Sequence, residues 1–192
     1  MLRPVRRPLF RCHAAAAALL LAASLAHGRV LELEGEVVAV HDGDTVTLLD
    51  GMRVQHRVRI AGIDAPERGQ PFGTSARENL ARLVHGRRVA AQCHKRDRFG
   101  RDVCSVFVEA RDVGLEQVRH GLAWWYREYA REQRLEDRAS YEAAEGEARS
   151  ARRGLWRDVN PQAPWAWRRQ NGPGARGSRA RPKPRRASKN CD

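Results

Sequence analysis

Between residues 30 and 60 the apolar positions fall into three runs separated by turn residues. Val30 to Val40 is rich in apolar side chains and stops at His41-Asp42-Gly43. Thr45 to Leu49 is β-branched and stops at Asp50-Gly51, a pair suited to a tight hairpin because both residues tolerate positive φ. Val54 to Ile60 alternates, with Val54, His56, Val58 and Ile60 on one face and Gln55, Arg57 and Arg59 on the other. A period of two is that of a strand with one buried face, so the three runs predict a meander. The period then changes. Ala76, Leu80, Leu83 and Val84 recur at three and four, which predicts a helix over Ser75 to Val84, with Gly86 placed to end it. Arg88 to Cys93 and Val103 to Val108 read as a second hairpin. Val113 to His120 reads as a short helix before Gly121, and Leu135 to Arg153 as a longer one before Gly154. Five strands with a helix between the third and fourth predict an α+β, mainly β fold. The expected architecture is a five-stranded oligonucleotide-binding (OB-fold) Greek-key barrel with about three appended helices.

The two ends of the chain follow neither period. Arg3, Arg6, Arg7 and Arg11 precede the apolar run Ala14 to Ala26, and Ser24-Leu25-Ala26 places small residues at a cleavage site. This predicts a signal peptide over residues 1–26 and an exported chain, periplasmic or extracellular. The run is shorter than the ~20 residues a spanning helix needs, and no membrane span is expected in the mature chain. From Asn171 onward Gly, Pro, Ser, Arg and Lys dominate, so residues 172–192 read as a basic disordered tail. The folded domain is expected over 30–160. Residues 161–171, with Trp165 and Trp167, form a connector that the pattern leaves unassigned. Charge sharpens this division. Of the net +13, residues 1–26 carry +4 and residues 172–192 carry +6, leaving +3 elsewhere. The ends therefore attract polyanions without selecting one, whereas an arginine inside the domain is a particular placement.

Cys93 and Cys104 lie equidistant from the Arg98-Phe99 centre of the second hairpin, so they face each other across it. Export favours a disulfide; a reduced, half-buried pair is the alternative. Cys12 leaves with the signal peptide, and Cys191 is left odd. The candidate chemistry lies in three short stretches. Asp42 and Asp44 flank Gly43, Asp64 and Glu67 flank Pro66, and each pair alone reads as turn residues. Together, Asp44, Asp64 and Glu67 come from connected strands that converge at one barrel end. Such carboxylates repel unless a hard divalent cation, Ca²⁺ or Mg²⁺, relieves them, since no His or Cys softens the set. Arg59 lies on the polar face of its strand, and Arg101 closes the second hairpin. Two guanidinium forks suit one phosphate. A remaining carboxylate, best Glu67, is then free to orient and deprotonate water.

Asp42-Gly43-Asp44-Thr45, Arg59 with Gly62-Ile63-Asp64-Ala65-Pro66-Glu67, Asp97-Arg98-Phe99-Gly100-Arg101, Gly121-Leu122-Ala123-Trp124 and Gly154-Leu155-Trp156 occur in one order. From Glu34 to Trp156 the chain resembles the thermonuclease, or staphylococcal nuclease-like, family. The resemblance implies an OB-fold nuclease domain, one Ca²⁺ ion, and cleavage of DNA and RNA to 3′-phosphate ends. By position it implies Asp44 and Asp64 as metal ligands, Ala65 as a backbone-carbonyl ligand, Arg59, Glu67 and Arg101 as catalytic residues, and Tyr129 beside the nucleotide. Three features depart from the family pattern. Phe99 replaces a frequent tyrosine, Arg127 stands where another tyrosine occurs, and the loop Arg68-Gly69-Gln70-Pro71 is short. Trp124, Trp125 and Tyr126 read as packing residues more than as base-stacking ones. No stable protein partner is expected, and a monomer is. The rival reading is a non-catalytic OB-fold nucleic-acid-binding protein, against which stands the retention of every charged catalytic position.

Overall fold

The structure, a computed structural model, describes residues 31–172. The expected signal peptide with Cys12, and the tail from residue 173 with Cys191, lie outside the described residues. Three antiparallel strands open the domain: β1 (Leu31–Val40), β2 (Thr45–Asp50) and β3 (Gln55–Ile60). A short β4 (Ile63–Asp64) precedes helix α1 (Gly73–Val84). The second hairpin is β5 (Arg88–Arg96) and β6 (Asp102–Val108), followed by β7 (Arg111–Asp112) and α2 (Val113–Arg119). Then come β8 (Trp124–Trp125), a 3₁₀ turn at Arg127–Glu132, α3 (Leu135–Ser150), a second 3₁₀ turn at Gly154–Arg157, and α4 (Pro164–Asn171).

The sheet runs β3-β2-β1-β5-β6-β7, and β3 also pairs with β6 in parallel. That extra pairing joins the two ends of the sheet, so the five long strands close into the expected barrel and leave no open edge between β3 and β6. The alternation seen in the sequence becomes the barrel interior. Val37, Val46, Leu48, Val58, Ile60 and Val106 are buried, together with Leu80 and Val84 of α1. Each such side chain contributes about 1.5–3 kcal/mol by leaving water. Val54, assigned to β3 by its alternation, sits instead in the turn and is exposed.

Cys93 and Cys104 are directly opposed in the β5–β6 register and form a disulfide, which closes the choice the sequence left open. The helix ends differ from expectation for local reasons. α1 begins two residues early because Phe72 enters at φ +66 and turns the chain into the helix at Gly73. α3 stops at Ser150 because Arg152 takes a positive φ of 49°. α4 falls in the segment the pattern left unassigned. Pro164 at its start is preset for a first helical turn, but eight residues show too little periodicity to announce a helix. No helix among the described residues is long and apolar enough to cross a membrane.

One polar side chain ties the outer helices to the barrel. Gln117 of α2 is fully buried, donating to the carbonyls of Gly43 at 2.7 Å and Ala76 at 3.0 Å. Its own carbonyl accepts from Asn79 at 2.5 Å. Replacing Gln117 with Leu strands these partners in the interior. Gln117→Leu is expected to cost about 2–4 kcal/mol, read as a lower urea midpoint at unchanged m-value.

Candidate active site

The turn between β1 and β2 aims Asp44 into the barrel end. The Asp42 carboxylate accepts from the Asp44 N–H at 3.1 Å, an Asx-type turn, and the Ile60 N–H donates to the Asp44 carbonyl at 2.8 Å. Gly43 sits between Ala65 and Ala76, where a Cβ would lie 2.6 and 2.7 Å from theirs. Only a residue without a side chain lets the turn approach α1 and β4 this closely. The Asp44 carboxylate accepts from Thr45 Oγ1 at 2.8 Å and from the Ala65 N–H at 3.2 Å. Asp44 and Ala65 are thus joined by a hydrogen bond, which brings two of the three sequence-expected metal positions to one place.

Arg59 and Asp64 leave opposite ends of the tight turn between β3 and β4. Arg59 Nη2 reaches Asp64 Oδ1 at 3.1 Å and Asp44 Oδ2 at 3.5 Å, with the arginine side chain largely covered. Burial alone would lower the Arg59 guanidinium, but Asp44 and Asp64 outweigh it and hold it above its ordinary value. Asp64 has no exposed surface. Burial raises its carboxyl, the Asp44 charge adds to this, and the neighbouring arginines oppose it. Burial also pushes Asp42 up to about 7, with the Asp44 charge next in importance.

Glu67 lies just past Pro66 in a short turn that the structure fastens at three points. Its N–H donates to Gln70 Oε1 at 3.1 Å, and its carbonyl accepts from the Gln70 N–H at 2.9 Å. Gly73 packs so close that a Cβ there would meet the Glu67 carbonyl oxygen at 2.0 Å. The short loop after Glu67, read as a departure from the family, is thus a clamp. The Glu67 carboxylate is half-buried and accepts from Arg168 Nη1 at 2.7 Å. Arg168, on α4, also forks onto Asp64. Neither Gln70 nor Arg168 was visible as a site residue in the sequence, and no local motif marks either.

Arg101 reaches the same barrel end from the β5–β6 turn. Its Nε donates to Asp97 Oδ2 at 2.8 Å, and Asp97 Oδ1 accepts from the N–H groups of Phe99 and Arg101 at 2.9 and 3.0 Å. These bonds outweigh burial and lower the Asp97 carboxyl. Arg101 Nη1 lies 3.3 Å from Thr45 Oγ1, whose own hydroxyl donates to Asp44. A chain of contacts thus runs from Arg101 through Thr45 to Asp44, Arg59 and Asp64. Phe99 is exposed, and the Arg101 guanidinium lies 5.3 Å from its ring centre.

The aromatic segment sorts into packing and contact residues. Trp125 is buried, and Trp124 packs edge-on against Trp156 at 4.4 Å and Trp165 at 5.6 Å. Tyr129 is exposed, packed edge-on against Tyr126 at 5.1 Å with Lys95 Nζ over its ring at 4.3 Å. Burial, then its hydrogen bond to Glu128, raises the Tyr126 hydroxyl to about 12. Arg127 has a job of its own: it stacks over Trp125 at 4.2 Å and pairs at 2.7 Å with Glu145, a buried carboxylate on α3. A half-open cavity of about 430 Å³ lies between this segment, Arg149 of α3 and Trp165 of α4.

The donors present fit a hard cation. Two carboxylates converge on a single guanidinium nitrogen with Asp42 beside them, and burial first, then the Asp44 charge, raises Asp42 and Asp64. The side chains expected as ligands are two, Asp44 and Asp64. No group of three or more His, Cys, Asp or Glu poised for a metal occurs among the described residues.

A family model described as Staphylococcal nuclease homologue matches residues 57–158. A micrococcal nuclease of Shigella flexneri is 41% identical over 147 residues, covering 72% of this chain and 82% of that protein. Protein ParB of Escherichia coli is 41% identical over 168 residues, covering 82% and 90% respectively. An uncharacterized endonuclease of Haemophilus influenzae is 37% identical over 134 residues, covering 70% and 72%.

The tight seat of Gly43 has a measurable consequence. Gly43→Ala forces Ala65 or Ala76 away and is expected to cost about 1–3 kcal/mol in chemical denaturation. Because Ala65 is bonded to Asp44, the same substitution is expected to lower nuclease activity more than its stability loss explains when assayed well below the melting point.

Proposed function

This chain belongs to the staphylococcal nuclease family, and we propose that it is an exported, Ca²⁺-dependent member that cuts both DNA and RNA and leaves 3′-phosphate ends. Its class of chemistry is endonucleolytic hydrolysis of nucleic acid. One observation supports the finer reading above others: Asp44, Arg59, Asp64 and Glu67, far apart in a random chain, gather at one barrel end with Arg101 joined to them through Thr45.

In this reading Asp44, Asp64 and the Ala65 carbonyl hold the ion, which supplies positive charge beside the phosphate under attack. Arg59 and Arg101 grip the non-bridging oxygens, where charge accumulates as a fifth oxygen approaches phosphorus. Asp44 and Asp64 keep Arg59 in place, and Asp97 does the same for Arg101, so neither fork has to be ordered during the reaction. Glu67 orients a water and takes its proton. The new bond joins that water's oxygen to phosphorus, the bond from phosphorus to the 5′-oxygen breaks, and the 5′-oxygen takes one proton from solvent water to leave as a hydroxyl, while Glu67 returns its proton to solvent. Tyr129 lies on the exposed side of the aromatic segment as a contact for the nucleotide. The mature enzyme works as a monomer, with DNA or RNA as its one macromolecular partner, in the periplasm or outside the cell.

Each fixed donor to a developing charge typically accounts for ~10²–10³ in rate, and a general base for ~10²–10⁴. Arg59→Ala, Arg101→Ala and Glu67→Ala are each expected to lower kcat on single-stranded DNA by about 10²–10⁴-fold, Arg101→Ala and Glu67→Ala with little change in melting temperature and Arg59→Ala with a lowered one, since it removes a partner of buried Asp64. Activity is expected with Ca²⁺ and lost with chelator, and the oligonucleotide products become extendable by a polymerase only after phosphatase treatment. Salt-sensitive binding without any product would instead make this a nucleic-acid-binding module.

A further inference from the structure

α4 lies beyond residues 57–158, and the reaction above makes no use of it. Yet it delivers the most strongly paired cation at the site. Arg168 Nη2 meets Asp64 Oδ2 at 2.7 Å, and Nη1 meets Asp64 Oδ1 at 3.1 Å and Glu67 Oε1 at 2.7 Å. One guanidinium thus spans the expected metal ligand and the expected base. With Arg59 also on Oδ1, both oxygens of Asp64 are engaged.

The helix is held by contacts of its own. Trp165 stacks on Tyr126 with ring centres 5.4 Å apart and meets Trp124 edge-on. Pro164 is buried. Just before the helix, the Gln162 carbonyl accepts from Gln70 Nε2 at 2.5 Å, and Gln70 Oε1 in turn holds the Glu67 N–H. The segment 162–168 therefore touches the Glu67 turn twice, through Gln70 and through Arg168. The two partners differ in freedom. The Arg168 side chain is 44% exposed and has room to swing into water, whereas that of Asp64 is 1% exposed and has none. A divalent ion binding Asp64 must take oxygens that Arg168 now holds, and a cation of higher charge density competes well for a buried carboxylate.

We propose that α4 is a latch: Arg168 covers Asp64 and Glu67 in the metal-free enzyme, and metal entering at Asp64 displaces it, loosens α4 and frees Glu67. This rests on reading Asp44, Asp64 and Ala65 as the metal ligands. A competitor that must leave first raises the apparent dissociation constant by the inverse of the fraction of time it is away.

Two measurements on the full mature chain test the latch: hydrogen–deuterium exchange with Ca²⁺ or with chelator, and calorimetric titration with Ca²⁺ of wild type, Arg168→Gln and Asp64→Asn. Exchange over residues 164–171 is expected to rise when Ca²⁺ is added to wild type and to be fast in both conditions in Arg168→Gln. That variant is expected to bind Ca²⁺ at least about threefold more tightly, the equivalent of one modest ion pair. Trp165→Ala, which unstacks α4 from Tyr126 while leaving Arg168 in the chain, is expected to shift affinity in the same direction and guards against a folding defect in the first variant. Equal affinities, with exchange over 164–171 unchanged or slowed by bound Ca²⁺, overturn the latch and leave the metal site standing. If wild type binds no Ca²⁺, or Asp64→Asn binds it as well as wild type, the metal site falls and the latch with it.

Discussion

A carboxylate with no exposed surface stays charged only if its surroundings replace the water it has lost, and Asp64 is such a carboxylate. Much of the surrounding architecture serves that requirement. β3 brings Arg59 from one side, α4 brings Arg168 from the other, and β4 pairs with β8 so that Asp64 stands opposite Trp124. Burial still leaves Asp64 and Asp42 raised, and the Asp44 charge adds to both.

The rest of the fold fixes where Asp64 and its partners sit. The parallel β3–β6 pairing closes the barrel and sets Arg59 opposite Val103, two residues from Arg101. The disulfide joins β5 and β6 at Cys104, three residues past Arg101, and in the turn between these strands Asp97 gathers two backbone N–H groups and the guanidinium. On the other side Gln117 spans α2, α1 and the Gly43 carbonyl, so the turn that carries Asp44 is held by both helices.

Buried charge away from the site follows the same rule. Glu145 lies inside α3, yet Arg127, Arg149 and the Trp125 N–H all reach it. Arg127 stands where a tyrosine can occur in the family, and in this chain that position serves packing: its guanidinium lies on the Trp125 ring and pairs with Glu145 in one placement. Trp165 likewise serves α4 by stacking on Tyr126.

The period-two runs and the Asp50-Gly51 turn marked β1 to β3, the three-and-four spacing marked α1, and equal distances from Arg98-Phe99 set Cys93 opposite Cys104. All of these are local regularities, in which a residue's neighbours in sequence are also its neighbours in space. The charged motifs were legible too, because Asp44, Arg59, Asp64, Glu67 and Arg101 recur in a fixed order with recognisable glycines and prolines among them. What the sequence left open depended on contacts across long separations. Disulfide or free thiols, a job for Arg127, and any structure over residues 164–171 were settled only when distant elements packed together. Arg168 is the clearest case. It lies 104 residues from Asp64 in sequence, in an eight-residue helix with no strong period, and looks like any other arginine of a basic chain. Only tertiary packing brings its guanidinium to a buried carboxylate, since the energy of that pairing depends on burial and distance in space, which spacing along the chain does not encode.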